Sequence, residues 1–533
     1  MPYSYRASLF AFLVLMGCAR QPYFQPDARV PDPAGLRPTG ADSTWVTAGR
    51  HYQRGWLHNA LLGKHYRQVW ATPVALPVLS LRTAVPGTVL TPGKMGGGFQ
   101  TTSLTLDAAD GRSYVLRTLD KDPFKTLPKV MRKTFLLTLV RDQTSAGNPY
   151  AAFVVPPLAQ AAGLLHTTPR PFYVAGTDST LGPFSKRFQG KVTLLEEKQS
   201  GKENLTPAFG KATNIVGSED MLEQRYADPT HQIDEVMFAR ARLFDIWLGD
   251  WDRHEGQWQW AVYEQNGRTR YQAVPKDRDQ VFYRFNDGLL PWLASRRWAI
   301  RKFRTFKPRY EDIEGLVKNA RFIDARALHE ISRSQFQQQA SLLQRQLTDS
   351  VIDAALLRFP AAVFAQEGAR TRQALQARRA ALTQAANTFY HLLARHVTIP
   401  GTDKAERFLV ERLTDSTTRV SMYRITEKDD KYRADSLCYQ RTFRTDETRR
   451  LTLHGLGGQD IFELSGDVRQ GIRVDIYGGP KPDVVIDKSR VRGLGNKTFY
   501  YDTNRDNELI KGPSTRDKTT KGVKMHAYDR EGS

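Results

Sequence analysis

The chain has 533 residues, of which 40% are hydrophobic and 25% are charged, a balance that excludes a largely disordered protein and allows about two to four domains. Its net charge of +22 and isoelectric point of about 9.8 favour anionic partners such as phosphate groups, acidic peptides, nucleic acid or anionic lipid, without choosing among them. After the N-terminus no run of about 18 apolar residues occurs, which excludes a later transmembrane helix.

The first residues predict a secretory signal peptide. One positive charge, Arg6, precedes an apolar run at 9–16 that is shorter than the ~20 residues needed to span a bilayer. The letters LMGC at 15–18 resemble a bacterial lipobox, which implies cleavage before Cys18, lipid attachment to Cys18 and, because Ala19 follows, an outer-membrane location. The alternative is an ordinary signal peptide with an incidental cysteine. With Cys18 lipidated, Cys438 would be the only free thiol, so no internal disulfide is expected.

The segment that follows predicts a tether and then a β-rich lobe. Residues 19–45 are rich in Pro, Gly and Asp, and the segment 19–62 is predicted to be a flexible tether and lead-in. Residues 63–198 are predicted to be a β-rich lobe, in which Asp110-Gly111 joins strands at 101–107 and 112–119 in a hairpin. The other elements predicted in this lobe are a helix at 149–165 and strands at 170–176 and 191–198.

Helical periodicity dominates from 199 to 396. Apolar residues within 231–249 recur near the 3.6-residue spacing of a helix, and Gly249 is placed to end that helix. Alternating, glycine-punctuated strands then predict a β-rich domain at 397–500, and 501–533 is predicted to be a polar tail. The fold class is therefore predicted to be α+β, with a two-lobed core followed by a C-terminal β-rich domain.

Two motifs carry the candidate chemistry. The first, GDWDRHEGQW at 249–258, places Asp252 on a loop that follows a helix; the second, PKDRDQVF at 275–282, places Asp277 and Asp279 after a strand-like segment. An aspartate on such a loop can accept the proton of a hydroxyl group, and nearby carboxylate or amide oxygens can bind Mg²⁺. The pair of motifs therefore indicates phosphoryl transfer.

These motifs look like the catalytic segments of atypical kinases. CotH spore-coat kinases have a P-x-D-x-D-x-x-F signature, type II phosphatidylinositol kinases have D-R-x-x-x-N-W, and secretory-pathway and HipA-type kinases share the Asp-Arg-His core. The resemblance covers about 160 to 200 residues and implies a two-lobed kinase-like fold that uses ATP with Mg²⁺ or Mn²⁺. It implies a catalytic role for Asp252 with Arg253 and His254, and metal binding by Gln257 and Asp279, with Asp277 as the competitor. The alternative for Asp252, Arg253 and His254 is a structural salt-bridge cluster that caps a helix.

The nucleotide would lie under the early hairpin, where the chain departs from the family. The resemblance implies phosphate binding by Gly96, Gly97 and Gly98. Arg117 stands where the family has a lysine, and Lys94 or Lys121 could substitute for it. Gln160 stands where the glutamate partner of that lysine is expected, and Gln257 replaces an asparagine. Glu196 and Glu197 mark the segment that joins the lobes, with Glu197 as a cofactor-binding candidate. These departures keep open the alternative of an inactive kinase-like envelope protein that assists outer-membrane assembly or binds a polymer.

Three further interpretations concern partners and ions. The basic, aromatic stretch at 295–309 is predicted to be either a solvated basic face or a patch that binds an acidic substrate or lipid headgroups. Nucleic acid is not the expected partner, because the chain is expected to be exported. The layout also resembles envelope proteins of Bacteroidetes-type bacteria in which a similar module lies beside metallophosphoesterase or outer-membrane barrel domains, which implies a barrel protein as a partner. GGPKPDVVI at 478–486 resembles a calcium-binding nonapeptide, but Lys481 replaces a glycine and only two imperfect copies are visible, so Ca²⁺ is not expected.

Overall fold

A computed structural model describes residues 22–33, 42–96, 102–425, 432–493, 495–522 and 528–530, without the side chains of 432–436. Within these ranges the α-helices are α1 (Trp56–Leu62), α2 (Arg67–Ala71), α3 (Phe135–Asp142), α4 (Ala151–Ala161), α5 (Ser185–Phe188), α6 (Ser218–Ala227), α7 (Glu235–Leu248), α8 (Leu289–Ala294), α9 (Ile313–Leu316), α10 (Arg321–Ala327), α11 (Arg333–Gln346), α12 (Asp349–Leu356), α13 (Ala361–Ala380) and α14 (Leu382–Ala394).

The strands of the first half, in the same ranges, are β1 (Ser43–Val46), β2 (Val74–Pro77), β3 (Leu90–Gly96), β4 (Ser103–Ala108), β5 (Ser113–Thr118), β6 (Arg170–Tyr173), β7 (Val192–Glu197), β8 (Asn214–Gly217), β9 (His231–Ile233), β10 (Trp258–Gln265) and β11 (Arg268–Pro275). Those of the second half are β12 (His396–Pro400), β13 (Glu406–Thr414), β14 (Thr417–Ile425), β15 (Tyr432–Arg444), β16 (Arg450–His454), β17 (Ile461–Ser465), β18 (Asp467–Val468), β19 (Arg473–Tyr477), β20 (Val484–Asp487), β21 (Arg490–Val491), β22 (Thr498–Tyr501), β23 (Glu508–Ile510) and β24 (Thr515–Asp517).

The first large sheet is antiparallel, with the order β3-β4-β5-β7-β6. The predicted hairpin is confirmed: β4 and β5 are joined through Asp110-Gly111, the Ala108 N–H donates to the Arg112 carbonyl at 2.8 Å, and Gly111 has φ 86°. The predicted helix and the two predicted strands are also confirmed as α4, β6 and β7. Alternating apolar residues on one face of the sheet form its core, namely Leu104, Leu106, Leu116 and Leu195.

The lead-in is packed rather than flexible where the structure describes it. The sequence predicts a tether over 19–62, but Tyr23, Ala28, Val46 and Tyr52 are buried in the main core. The Ala28 N–H also donates to the carbonyl of Gly190 at 2.7 Å. The prediction relied on Pro and Gly content, whereas the burial comes from scattered aromatic and aliphatic side chains whose partners are distant in the sequence.

Helix α7 lies at the centre of the helical part and leads into the first motif. The side chain of Asp234 caps its start by accepting from the Met237 N–H at 3.0 Å, and Gly249, with φ 73°, ends it as predicted. After the loop 250–257, β10 and β11 form an antiparallel hairpin in which Trp258 pairs with Pro275. Because the hairpin returns to its starting point, the residues before β10 and after β11 lie side by side, and the two motifs meet.

The C-terminal domain consists of stacked rungs rather than a generic β-rich unit. One sheet, β12-β16-β19-β22-β24, is parallel throughout; in the other, β15-β14-β13-β17-β20-β23, the strands from β13 to β23 are parallel to their neighbours. We call this domain the solenoid, because the chain alternates between the two sheets. The predicted polar tail from 501 instead supplies β23 and β24, which extend both sheets.

The boundary predicted at 396–403 agrees with the structure, since α14 ends at Ala394 and β12 begins the solenoid. Over the residues described, none of the helices combines the length and the apolar character required to cross a bilayer. The predicted signal peptide and Cys18 lie outside the described residues.

Candidate functional site

A cleft lies between the first sheet and the second motif. Its walls come from β5 and β7 of the sheet, from α4, and from the loop after β11. Ala152, Val155 and Ala159 of α4 line one side, so part of the wall is apolar. The ionisable residues that line the cleft are Arg117, Lys121, His166, Glu196, Asp277, Arg278 and Asp279. This combination of an apolar wall and converging charges suits a ligand with both a flat apolar part and an anionic part.

Arg117 is in the cleft, as predicted, but its partners differ from those expected. Its Nη1 atom lies 3.0 Å from Glu196 Oε1 and 3.4 Å from Asp277 Oδ1, which links the sheet to the second motif. Burial alone would lower the pKa of Arg117, but the two carboxylates outweigh burial and raise it. Gln160, where a partner was sought, is exposed and lines a different groove. Glu196 has taken that role because it lies on β7, directly beside β5.

The second motif places both of its aspartates, Asp277 and Asp279, in the cleft. Asp279 forms an ion pair with Lys121, which follows β5. Burial would raise the pKa of Asp277, but Lys121 and Arg117 reverse this and lower it to about 2. Asp277 also has φ 58°, a left-handed conformation that aspartate tolerates better than most residues. Both carboxylates of the motif therefore lie beside a cation in the same cleft.

A buried charge network lies beneath the two motif loops. Its acids are Asp245, Asp250 and Asp324, and its bases are Arg242, Arg253 and Arg278. Each of these side chains is at most 7% exposed. Three acids therefore face three bases, so the buried charges balance, which is the condition under which such groups are tolerated in a protein interior.

Arg253 belongs to this network and does not reach the cleft, which corrects the predicted catalytic role. It is fully buried, its Nη1 donates to the Lys276 carbonyl at 2.7 Å and its Nη2 donates to the Gln257 carbonyl at 3.0 Å. Its guanidinium carbon lies 4.5 Å from the centroid of a Trp258 ring. Arg253 therefore ties the loop of the first motif to that of the second, and acts as a positioning residue.

Asp252 lies in the same loop as Asp250 and Arg253 of this network, but its side chain has a different hydrogen-bond partner. Its side chain is partly exposed, and its Oδ1 atom accepts a hydrogen bond from Asn319 Nδ2 at 2.8 Å. Asn319 Oδ1 in turn accepts from Lys302 Nζ at 3.1 Å. Burial lowers the pKa of Lys302 against the opposing effect of Asp252. Asp252 is not among the residues that line the cleft, although its loop is bonded to the loop that carries Asp277.

The remaining candidates are distributed around the site. His254 lines a separate groove with Glu255 and Lys276, and its Nδ1 accepts from the Gly256 N–H at 3.1 Å. Gln257 approaches His254 at 3.4 Å and is not in the lining of the cleft. Glu197 turns away from the cleft, since neighbouring strand residues face opposite sides, and accepts from the Thr168 N–H at 2.9 Å. Gly96 ends β3 opposite Ser103, whereas Gly97 and Gly98 lie outside the described residues.

The cleft residues fit a magnesium nucleotide in donor type. Asp277 and Asp279 are ionised carboxylates of the kind that hold Mg²⁺, and Arg117 and Lys121 are cations suited to phosphate oxygens. Each carboxylate now pairs with a cation; on binding, the magnesium ion would pair with the carboxylates and the phosphate groups would pair with the cations. Gln257 does not contribute to this set as the structure stands.

Four residues that contact the candidate site residues are not assigned a role in the sequence analysis. Glu196 and Lys121 were named only as neighbours or substitutes, while Asn319 and Lys302 were not singled out. The alternation of β7 could have indicated that Glu196 and Glu197 face opposite sides. No sequence feature near Asn319 marks it as part of the site, because it reaches Asp252 only through the packing of the segment after α9.

Comparisons with known proteins give limited similarity. No family model and no curated protein matches the chain. Among solved structures, the kinase CtkA of Helicobacter pylori aligns at 12% identity over 58% of this chain and 98% of its own, with a TM-score of 0.31. HipA from a Shewanella oneidensis toxin–antitoxin complex with operator DNA aligns at 11% identity over 59% of this chain and 77% of its own, with a TM-score of 0.26.

A third similar structure is the Rio2 kinase of Chaetomium thermophilum, described as an ADP/Mg²⁺-phosphoaspartate complex. It aligns at 12% identity over 55% of this chain and 72% of its own, with a TM-score of 0.25. With TM-scores no higher than 0.31, none of these alignments establishes a shared fold or activity. The function of the cleft has to be inferred from its own residues.

Proposed function

We propose that the chain transfers a phosphoryl group from a magnesium nucleotide to a hydroxyl acceptor. The supporting observation is the pair of acid–base contacts in the cleft, Arg117 with Asp277 and Lys121 with Asp279, beside an apolar wall. Two carboxylates and two cations in one cleft match what a metal-bound polyphosphate requires. The resemblance of the motifs to atypical kinases is consistent with this proposal.

The residues have distinct roles in the proposed reaction. Asp277 and Asp279 would hold Mg²⁺, and the bound ion would supply positive charge against the phosphate groups. Arg117 and Lys121 bind phosphate oxygens, while Glu196 positions Arg117. Asp252 orients the acceptor hydroxyl and takes its proton as the new oxygen–phosphorus bond forms and the bond to the leaving nucleoside diphosphate breaks. Asn319 fixes the Asp252 carboxylate through its hydrogen bond.

Nucleotide binding can be tested without knowing the acceptor. We expect ATP with Mg²⁺ to stabilise the chain against thermal unfolding, by about 2.7 kcal/mol at a ligand concentration of 100 times Kd. Asp279→Ala should abolish this stabilisation, because it removes a metal ligand and releases Lys121. Glu197→Gln is the matched control, since Glu197 lies one residue from Glu196 but faces away from the cleft. The measurement is the unfolding midpoint with ATP, with Mg²⁺ and with both.

Two results would separate the proposal from its alternative. Stabilisation of the parent chain that survives Glu197→Gln and is lost in Asp279→Ala would support a nucleotide site. A parent chain that ATP and Mg²⁺ do not stabilise would instead favour the inactive, kinase-like envelope protein.

We also propose that the chain works at an anionic membrane surface, with lipid attached at Cys18. Helix α1 packs against α8, and their outer faces, with the loop after α8, form an apolar surface that we call the α1–α8 surface. Trp56 is 81% exposed and Trp298 is 76% exposed. The surface consists of Trp56, Leu57, Leu61, Leu289, Leu290, Trp292, Leu293, Trp298 and Ile300.

The charge around the α1–α8 surface favours anionic lipid as the partner. Arg296 and Arg297 are exposed within it, and the Arg296 guanidinium lies 3.6 Å from the centroid of a Trp292 ring. Tryptophan and arginine together suit the boundary between headgroups and acyl chains. Part of the basic stretch 295–309 has another role, because Arg301 and Arg304 pair with Asp312 and Lys307 pairs with Glu311.

Vesicle binding tests this surface independently of the lipid anchor. In a Cys18→Ser background, the chain should bind vesicles that contain phosphatidylglycerol, bind vesicles of phosphatidylcholine alone more weakly, and lose affinity as salt increases. Changing Trp56 and Trp298 together to serine should weaken binding roughly tenfold. Leu357→Ser, which alters an equally exposed apolar residue at the end of α12, should have no effect. Equal binding by the tryptophan variant and its parent would exclude the surface.

A further inference from the structure

One sheet of the solenoid carries a row of basic side chains that the proposed phosphoryl transfer does not use. Strands β12, β16, β19 and β22 are successive neighbours in this sheet and run parallel to one another. Their register places His396 beside Arg450, and Arg450 beside Arg473. Lys497, the residue before β22, stands next to Arg473 in the same register. We call these four residues, one from each rung, the basic column.

The alternation of side chains along the strands turns the basic column outward. The residue that follows each column residue is buried inside the solenoid, namely Val397, Leu451, Val474 and Thr498. Successive side chains on a strand point to opposite faces of the sheet, so the column itself lies on the outer face. His396 and Arg450 are exposed, and Arg473 and Lys497 are half-buried. Because neighbouring strands are about 4.8 Å apart, the column presents one basic group at each such step.

The basic column brings like charges together with little compensation. Like charges directly opposite each other on neighbouring strands destabilise a sheet. One carboxylate offsets them, since Asp475 Oδ1 lies 2.7 Å from Arg473 Nε and Asp475 Oδ2 lies 3.4 Å from Arg450 Nε. In the described part of the chain, Lys497 has no salt bridge, and Asp475 is the one acid that forms a salt bridge with Arg450 or Arg473.

Two further arginines add to the charge at the first rungs of the column. Arg395 and Arg449 are exposed and adjacent, because the Arg449 N–H donates to the Arg395 carbonyl at 2.9 Å. Neither side chain forms a salt bridge within the described ranges. Burial, together with Arg450, Arg395 and Arg449, lowers the pKa of His396, so the charges of these arginines act on the same place. This part of the sheet therefore has an excess of positive charge that favours an anionic partner.

The shape of this face favours a linear polymer as the partner. The column is straight, because it follows the register of one sheet, and its charge recurs once per rung. A chain of acidic sugars has the matching form, since it repeats an anionic group along its length and one pyranose unit is about as long as a rung is high. Thr398 and Thr452 lie beside the column on the same face and offer hydroxyl groups to a sugar.

Lipid and nucleic acid match this face less well. The large apolar side chains that the described part of the solenoid exposes are Leu413, Leu437 and Ile510, and all three belong to the other sheet. The column therefore lacks apolar groups that would enter a membrane. Phe499 lies on the same face, but the Arg473 guanidinium covers it at 4.0 Å from the ring centroid, so the ring is not free to stack on a base.

We propose that the basic column binds an acidic polysaccharide whose carboxylate or sulfate groups pair with Arg450, Arg473 and Lys497 on successive rungs. The bound polymer supplies the negative charge that the column lacks. Arginine forms two parallel hydrogen bonds with such groups, whereas lysine acts as a point charge. The column lies on the solenoid and shares no residue with the cleft, so polymer binding does not depend on phosphoryl transfer.

Binding can be measured on the full chain, in the Cys18→Ser background, with fluorescently labelled oligogalacturonate and heparin oligosaccharides. We expect saturable binding of at least one of these probes, a loss of affinity as salt increases, and no binding of neutral dextran. Changing Arg450 and Lys497 together to glutamine should weaken binding roughly tenfold, because it removes two cations of the column and leaves the pair of Arg473 and Asp475 intact. The unfolding midpoint should stay the same or rise, since the change relieves repulsion.

The matched control changes Arg469 and Arg492 together to glutamine. It removes the same charge from the solenoid, at exposed pairs with Asp415 and Asp467, and should leave the affinity for the probes unchanged. Lys497→Gln alone, which breaks none of the salt bridges described, should weaken binding severalfold and provides the comparison if the double variant folds poorly.

Three results would overturn the proposal. The first is a parent chain that binds neither acidic probe. The second is a column variant that keeps the affinity of the parent, or a control variant that loses as much affinity as the column variant, since net charge alone would then explain binding. The third is a DNA duplex or a phosphatidylglycerol vesicle that binds more tightly than either probe and loses this affinity in the column variant, which would assign the column to that partner instead.

Discussion

Replacing Asp245 with asparagine is expected to destabilise the core by about 3–5 kcal/mol, the usual cost of removing one partner from a buried ion pair. Asp245 is 0% exposed; its Oδ2 atom accepts from Arg242 at 2.7 Å and lies 3.4 Å from Arg253 Nε, and its Oδ1 atom contacts Arg278. Asparagine keeps the shape but removes the charge. Three buried guanidinium groups would then face only two carboxylates.

Thermal unfolding is the appropriate measurement for this variant, and the midpoint of the core should fall on the order of 10 °C. Asp467→Asn is the control, because it changes an aspartate in an exposed pair with Arg492 and should leave the midpoint unchanged. The solenoid should unfold as in the parent chain. An Asp245→Asn core as stable as the parent would show that the network does not hold the motif loops together.

Local sequence signals predict the elements that depend on local chemistry. The Asp110-Gly111 turn, the end of α7 at Gly249 and the boundary before β12 could all be inferred from residue type and spacing. The meeting of the two motifs could also be inferred, because a hairpin separates them. Once Trp258 pairs with Pro275, the segments before and after the hairpin have to be adjacent.

Long-range packing explains what the sequence did not predict. The lead-in and the polar tail have the composition of flexible segments, yet Tyr23 and Tyr52 enter the core and β23 extends a sheet. In both cases the stabilising partner is far away in the sequence, so composition alone predicts the wrong behaviour. Arg253 is another case in which long-range packing matters. Its motif predicts a catalytic role, whereas its burial among aspartates gives it a positioning role.

Within the site, the residue types were predicted more successfully than their pairings. Arg117, Asp277 and Asp279 lie in the cleft as expected, but Arg117 pairs with Glu196 rather than with a residue of α4. The choice depends on the order of strands in the sheet, which places β7 beside β5. A single sequence does not specify strand order, whereas the period of two along a strand does specify which of Glu196 and Glu197 faces the cleft.

Asp252→Asn is expected to lower the rate of phosphoryl transfer by about 10² to 10⁴, the usual contribution of a general base. Asparagine can still accept the hydrogen bond from Asn319 through its side-chain oxygen, so the loop should keep its geometry while losing the group that takes the acceptor proton. Stabilisation by ATP and Mg²⁺ should persist, because Asp252 does not line the cleft. The assay measures transfer of labelled phosphate from ATP to the protein itself and release of inorganic phosphate.

Glu255→Gln controls for changes of charge in the same loop, because Glu255 lines the separate groove with His254 and should leave the rate unaltered. The combination of retained binding and lost transfer is informative, since destabilisation of the loops would reduce both. If Asp252→Asn transfers phosphate as fast as the parent, Asp252 has no part in the reaction. Its bond to Asn319 would then have a purely structural purpose, and the base would have to be sought among the carboxylates that line the cleft.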